Sequence, residues 1–276
     1  MITGLVLLVG GVAAGMFGSL LGLGGGVLIV PLLTLGFGLP LRESVSVSLV
    51  SVIVTSSAGA SVYLRKHVAN LRLGMVLELF SASGALIGGL IAFMLSEQVL
   101  AGLFAALLLW VAISMLRRSD SAPASAPTAA AISEDAESGA GPAFTDTLSG
   151  PGYRVHRLPL GMAGSGLAGL VSALLGVGGG IIKVPAMHLA MGVPLKVAAA
   201  TSNMMIGITA TSSAVIYLLR GQVDPFVAGP TAIGVFAGAT MGSRIAHRVD
   251  TRLLRLLFVG VLLFTAFEMT QKALGR

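Results

Sequence analysis

From Val99 to Leu116 the chain runs eighteen residues without one charged side chain. A helix of about 20 apolar residues crosses the hydrocarbon core of a bilayer. A soluble fold could hold such a segment only inside a large core under a polar coat. Charged residues make up 10% of these 276 residues, against about 25% in soluble domains. The coat is missing, and hydrophobic residues reach 55% with a mean hydropathy of +0.96. The composition predicts an integral membrane protein and excludes soluble enzymes and secreted domains. The chain has no cysteine, which removes disulfides, thiolate catalysis and cysteine-bound metals. A net charge of +6 could suggest nucleic acid. The basic residues stand singly or in pairs at the ends of apolar runs, however, which is a topology signal.

The other runs follow the same logic. The first spans Ile2 to Leu21, breaks at Gly22-Leu23-Gly24-Gly25-Gly26, and resumes from Val27 to Phe37. Further runs extend from Glu43 to Leu64 and from Leu71 to Leu95. After Val99 to Leu116 come Leu158 to Leu175, Ile181 to Met191, Lys196 to Leu219, Pro225 to Ile245 and Leu253 to Met269. Between the two sets lies a stretch rich in Ala, Ser, Pro and Gly, with Glu134, Asp135 and Glu137 near its middle. It cannot bury a core and reads as a flexible linker. The expected organisation is a first transmembrane repeat at 1–116, a linker at 117–157 and a second repeat at 158–276. The first run lacks a basic leader and reads as a retained span.

The order of runs repeats at a fixed offset. Gly22-Leu-Gly-Gly-Gly-Val-Leu-Ile-Val-Pro31 matches Gly176-Val-Gly-Gly-Gly-Ile-Ile-Lys-Val-Pro185, 154 residues on. The same offset pairs Pro40 with Pro194, Thr55 with Thr209, Tyr63 with Tyr217, Gly84 with Gly238 and Gly88 with Gly242. Lys/Arg placement sets orientation. With Arg65, Lys66 and Arg72 in the cytoplasm, alternation puts 12 of the 17 basic residues on that side, including those flanking the linker. The counterpart of the Arg65–Arg72 loop, near Arg220, then falls outside. The expected fold is therefore an all-α polytopic membrane protein of two inverted-topology repeats. Each has a glycine-broken helix pair plus three transmembrane helices, the signature of secondary transporters.

The glycine runs are the candidate site. No Gly-Lys-Ser/Thr follows them, so they are not phosphate loops of the Walker type. At membrane depth, bare backbone survives only where it lines protein or a water-filled cavity. A helix restarting after the break offers N–H donors and a positive dipole end to an anion. Candidate binding residues are Gly24, Gly25 and Gly26, and their repeats Gly178, Gly179 and Gly180. Ser48, Ser202 and Asn203 could add donors without a buried full charge. Glycines at i and i+4, such as Gly84 and Gly88, read as helix packing. Two ionisable residues lie within runs, and such residues are functional candidates by default. Lys183 could attract an anion or snorkel to water; Glu78 could carry a coupling proton or pair with a buried donor. His67, His156, His188 and His247 show no metal-ligand spacing.

The two glycine motifs, with Thr55-Ser-Ser-Ala-Gly59 and Ala198-Ala-Ala-Thr201-Ser202-Asn203 with Gly207, resemble the TauE/SafE sulfite exporter family over residues 5–116 and 158–270. The resemblance implies a bacterial inner-membrane permease for sulfite, sulfonates and related anions, often an exporter. The expectation is a carrier binding one small anion between the repeats, with the linker cytoplasmic, possible coupling to protons and no cofactor. Its expected partners are that anion and the lipid bilayer, with no nucleic acid. An anion channel on the same glycine breaks is the alternative. An intramembrane enzyme lacks a nucleophile–base–acid set.

Overall fold

The computed structural model describes residues 2–20, 26–65, 68–117, 148–150, 152–245 and 251–274. Its regular structure is helical: α1 (Ile2–Leu20), α2 (Gly26–Pro31), α3 (Leu41–Arg65), α4 (Leu71–Met94), α5 (Glu97–Arg117), α6 (Leu158–Leu175), α7 (Gly180–Pro185), α8 (Leu195–Leu219), α9 (Pro225–Ile245) and α10 (Thr251–Ala273). Five of these are long and apolar enough to cross a bilayer: α3, α4, α5, α6 and α8. Gly24 and Gly25, with residues 118–147 and 151 of the linker, lie outside the described residues.

Element starts recur at the offset read from the sequence. Gly26 and Gly180, Leu41 and Leu195, Leu71 and Pro225, Glu97 and Thr251 are each 154 apart. Local chemistry explains the shared boundaries. Pro31 and Pro185 sit inside α2 and α7 and cannot donate to the helix ladder. Each short helix then widens into one π-helical turn, Leu32–Gly36 and Ala186–Ala190. Gly38 and Gly192 turn the chain in the left-handed region, and Pro40 and Pro194 precede the next starts.

Packing follows an exchange pattern. α1 packs on α9 and α4 on α6; α5 packs on α10; α3 packs on α8; α4 also packs on α8 and α9 on α3. Swapping the two halves returns the same set of pairs. Neither half is a closed bundle, because the first helix of each rests on the fourth helix of the other. Glycines make these joints. A Cβ at Gly15 would collide with the Val235 carbonyl, and one at Gly169 with the Ser81 carbonyl. Gly84 meets Gly166, and Gly238 meets Val12, in the same way. These contacts are repeat-related and bring backbones close, as small residues do between membrane helices. Gly84 and Gly88, read as packing positions, lie in such a joint.

Residues 148–150 and 152–157, at the end of the expected linker, dock on the helical body. Leu148 and Val155 are buried and join a cluster with Leu73, Leu77, Met187 and Met205. Asn70 ties the segment down. Its Oδ1 accepts from Leu73 N as the α4 N-cap, while its Nδ2 donates to the Leu148 carbonyl and the Tyr153 hydroxyl. At the opposite end of α4, Arg42 donates to the carbonyls of Ala92 and Leu95. That arrangement satisfies a helix C-terminus with a cation.

Candidate functional site

The second glycine break is held among three helices. Gly176, Gly178 and Gly179 all adopt left-handed backbone, with φ of 70°, 82° and 73°. Three such residues in four positions are cheap only for glycine. The run ends α6 at Gly176 and opens α7 after Gly179, which has no side-chain cap. Gly176 lies against Val45 and Ser48 of α3. Gly178 faces Val52 of α3 and Ile206 of α8, and Gly179 faces Ala168 and Ser172 of α6.

The two breaks meet here. Ser48 Oγ lies 2.7 Å from the Gly176 carbonyl and 3.1 Å from the Gly26 carbonyl. One hydroxyl proton is thus shared between the start of the second break and the end of the first, and Ser48 acts as a clamp. A Cβ on Gly26 would reach Val52 at 2.7 Å and the Gly176 carbonyl at 2.9 Å. A side chain at Gly26 would therefore strike packed protein.

Ser202, the repeat of Ser48, behaves differently. It is buried, and its Oγ has no hydrogen-bond partner among the described residues; Ser172 Oγ shares this state. Both flank the second break: Ser172 beside Gly179, Ser202 beside Gly180. A buried polar group without a partner is costly and rare in native proteins. Thr34 Oγ1 is a third such atom, in the π-helical turn after Pro31. Asn203 is half-buried, and its Nδ2 lies against Gly59 of α3.

Lys183 does not snorkel. It is fully buried, with Nζ 3.2 Å from Glu78 Oε2 of α4. Lys183 also donates to Thr209 Oγ1 of α8, which lies 2.6 Å from Glu78 Oε1. The lysine, glutamate and threonine close a ring of polar contacts across α4, α7 and α8. His188 lies at the exposed end of its run, its ring 2.9 Å from the Val193 carbonyl.

A cavity of about 210 Å³ opens between the middles of α3 and α8. Ser56, Ser57, Gly207 and Thr211 line it with Ile53, Ala60, Met204 and Ile208. Its hydroxyls donate to carbonyls three or four residues back in their own helices.

Of the predicted residues, then, the structure gathers Gly26, Ser48, Gly178, Gly179, Gly180 and Ser202 around one junction. It places Lys183 and Glu78 together one turn further along α7, and leaves Asn203 on the adjacent face of α8. Ser172 was missed. Its only sequence signal is a serine four residues before a left-handed glycine, and nothing in the sequence says that it points at the break.

Comparisons with known proteins agree with the class of this arrangement. The family model described as Sulfite exporter TauE/SafE matches residues 7–269. The chain is 26% identical over 271 residues to the probable membrane transporter protein YunE of Bacillus subtilis, covering 96% of each chain. It is 27% identical over 288 residues to the probable membrane transporter protein MamO of Paramagnetospirillum magneticum, covering 97% of this chain and 44% of that one. It is 35% identical over 104 residues to Sulfite exporter TauE/SafE family protein 6 of Arabidopsis thaliana, covering 38% of this chain and 24% of that one. No solved structure matches the chain.

Proposed function

The chain belongs to the TauE/SafE sulfite exporter family, and from that premise we propose a secondary carrier that moves one small sulfur-containing or organic anion by alternating access. The single observation behind the site is the pair of buried hydroxyls, Ser172 and Ser202, that have no partner among the described residues beside the left-handed glycines. An anion seated there would accept from both hydroxyls and from the N–H groups of the second break, Gly178 to Gly180. Asn203 stands beside Ser202 as a further donor. Gly26, at the end of the first break, would close the site from the other half, with Ser48 holding the two breaks together.

The exchange pattern of helix pairs supports the inverted-repeat reading. Two halves of opposite orientation can rock about a shared junction, and interrupted helices then face each side of the membrane in turn. The family's description supports export as the direction and sulfite as the first anion to try. The basic residues flanking the linker support a cytoplasmic linker in a bacterial inner-membrane protein.

Counterflow tests the proposal. Purified protein in liposomes loaded with unlabelled sulfite should take up labelled sulfite in a transient overshoot. Only a saturable carrier exchanging substrate across the membrane gives that overshoot. Passive equilibration without overshoot, together with unitary currents, would replace the carrier with an anion channel.

A further inference from the structure

We propose that Lys183 is a counter-charge shared between Glu78 and the transported anion, so that a proton on Glu78 releases the lysine to the anion and both cross together. This deepens the carrier reading above and rests on it.

The first ground is that packing does not require the ions. The repeat-related joint carries Ile29 in place of Lys183, Ala232 in place of Glu78, and Thr55 in place of Thr209. Ile29 and Ala232 are buried, so the same joint closes there with apolar side chains. A buried ion pair is poor evidence of stabilisation, since apolar residues of similar volume usually serve as well. Ionisable residues inside a membrane mark pathways and relays instead.

The second ground is position. Lys183 stands one turn into α7 from Gly179, at the break assigned to the anion. Thr209, the present partner of Lys183 on α8, lies seven residues from Ser202, which stands beside Gly180, on one helical face. A lysine is a compact charge on a flexible four-carbon stem and can swing between partners. Among the described residues, the charged side chain in contact with Glu78 is Lys183. α6 contains no ionisable residue; α8 carries Lys196, in its exposed first turn, and Tyr217, buried about two turns beyond Thr209 with its hydroxyl donating to the Ala173 carbonyl. From α7 the facing group is Lys183 itself, and from α8 it is the Thr209 hydroxyl.

The charges balance. In the empty carrier, Lys183 and Glu78 sum to zero. A proton from water on the open side neutralises the Glu78 carboxylate, and the anion takes its place beside Lys183. The loaded site again sums to zero, so the dry interior need not hold a net charge in either state. A singly charged anion therefore crosses with one proton, electroneutrally.

The test uses full-length protein in liposomes with two probes, sulfite and methanesulfonate; the second keeps one charge at every working pH. Wild-type uptake should be accelerated by a proton gradient directed with the anion, without net current. Glu78→Gln should lose that acceleration, and its anion affinity at pH 8 should become about tenfold tighter than that of wild type, because Lys183 is always free. The double variant Glu78→Ala/Lys183→Ile copies the repeat-related joint; it should insert and melt like wild type yet exchange neither probe. A double variant that exchanges normally would make the pair structural and overturn the proposal. Proton-driven uptake surviving in Glu78→Gln would also overturn it. Wild-type protein that exchanges neither probe would instead overturn the carrier reading, and this proposal with it.

Discussion

Lys183→Ile alone is expected to destabilise the folded protein by about 3–5 kcal/mol, because it leaves the Glu78 carboxylate buried without its cation. Glu78 is 4% exposed and Lys183 not exposed at all, so water cannot replace the lost partner. Adding Glu78→Ala should recover most of the loss, to within about 1 kcal/mol of wild type. The reason is the joint built from Ile29 and Ala232 in the other half. Reversible unfolding in mixed micelles measures both variants and the single Glu78→Ala, which closes the cycle. A Lys183→Ile loss below about 1 kcal/mol would mean that the ion pair is not closed in the folded protein.

Ser172→Ala/Ser202→Ala is expected to separate binding from stability. Each hydroxyl would give an anion a hydrogen bond worth about 1.5–3 kcal/mol. Losing both should weaken binding about 100-fold or more. Folding should not suffer, because two buried hydroxyls without partners among the described residues disappear. Equilibrium binding of sulfite and the melting temperature, read on the same preparations, decide the matter. Normal binding by the double variant would remove the second break as the site. Binding and melting falling together would make these serines packing residues.

Periodicity and the 154-residue offset carried most of the architecture. The starts at Gly26 and Gly180 and at Leu41 and Leu195 follow from glycine and proline positions, whose backbone consequences are local. Pairing was not legible. Nothing in the runs says that α1 rests on α9, because the interface is made of glycines whose contact is backbone on backbone, as at Gly15 and Gly169. Glu78, Lys183 and Thr209 were each visible as polar residues in apolar runs, but they come from both halves, with 105 residues between the first two. No helical spacing could join them. Ser48 and Ser202 looked equivalent, and the structure separates them: one clamps two carbonyls and the other has no partner among the described residues. The docked end of the linker was hidden by its neighbours' composition, although Leu148, Tyr153 and Val155 supplied apolar anchors.

Opposite orientation of the two halves is the premise of the proposed carrier, and site-directed labelling tests it most directly. Arg72 and Phe226 are repeat-related and exposed in the first turns of α4 and α9. The chain has no cysteine, so a single cysteine at either position can be read without background. A membrane-impermeant maleimide should label Arg72→Cys only from the cytoplasmic face and Phe226→Cys only from the outer face. Labelling of both from the same face would contradict the inverted arrangement and the alternating-access mechanism built on it.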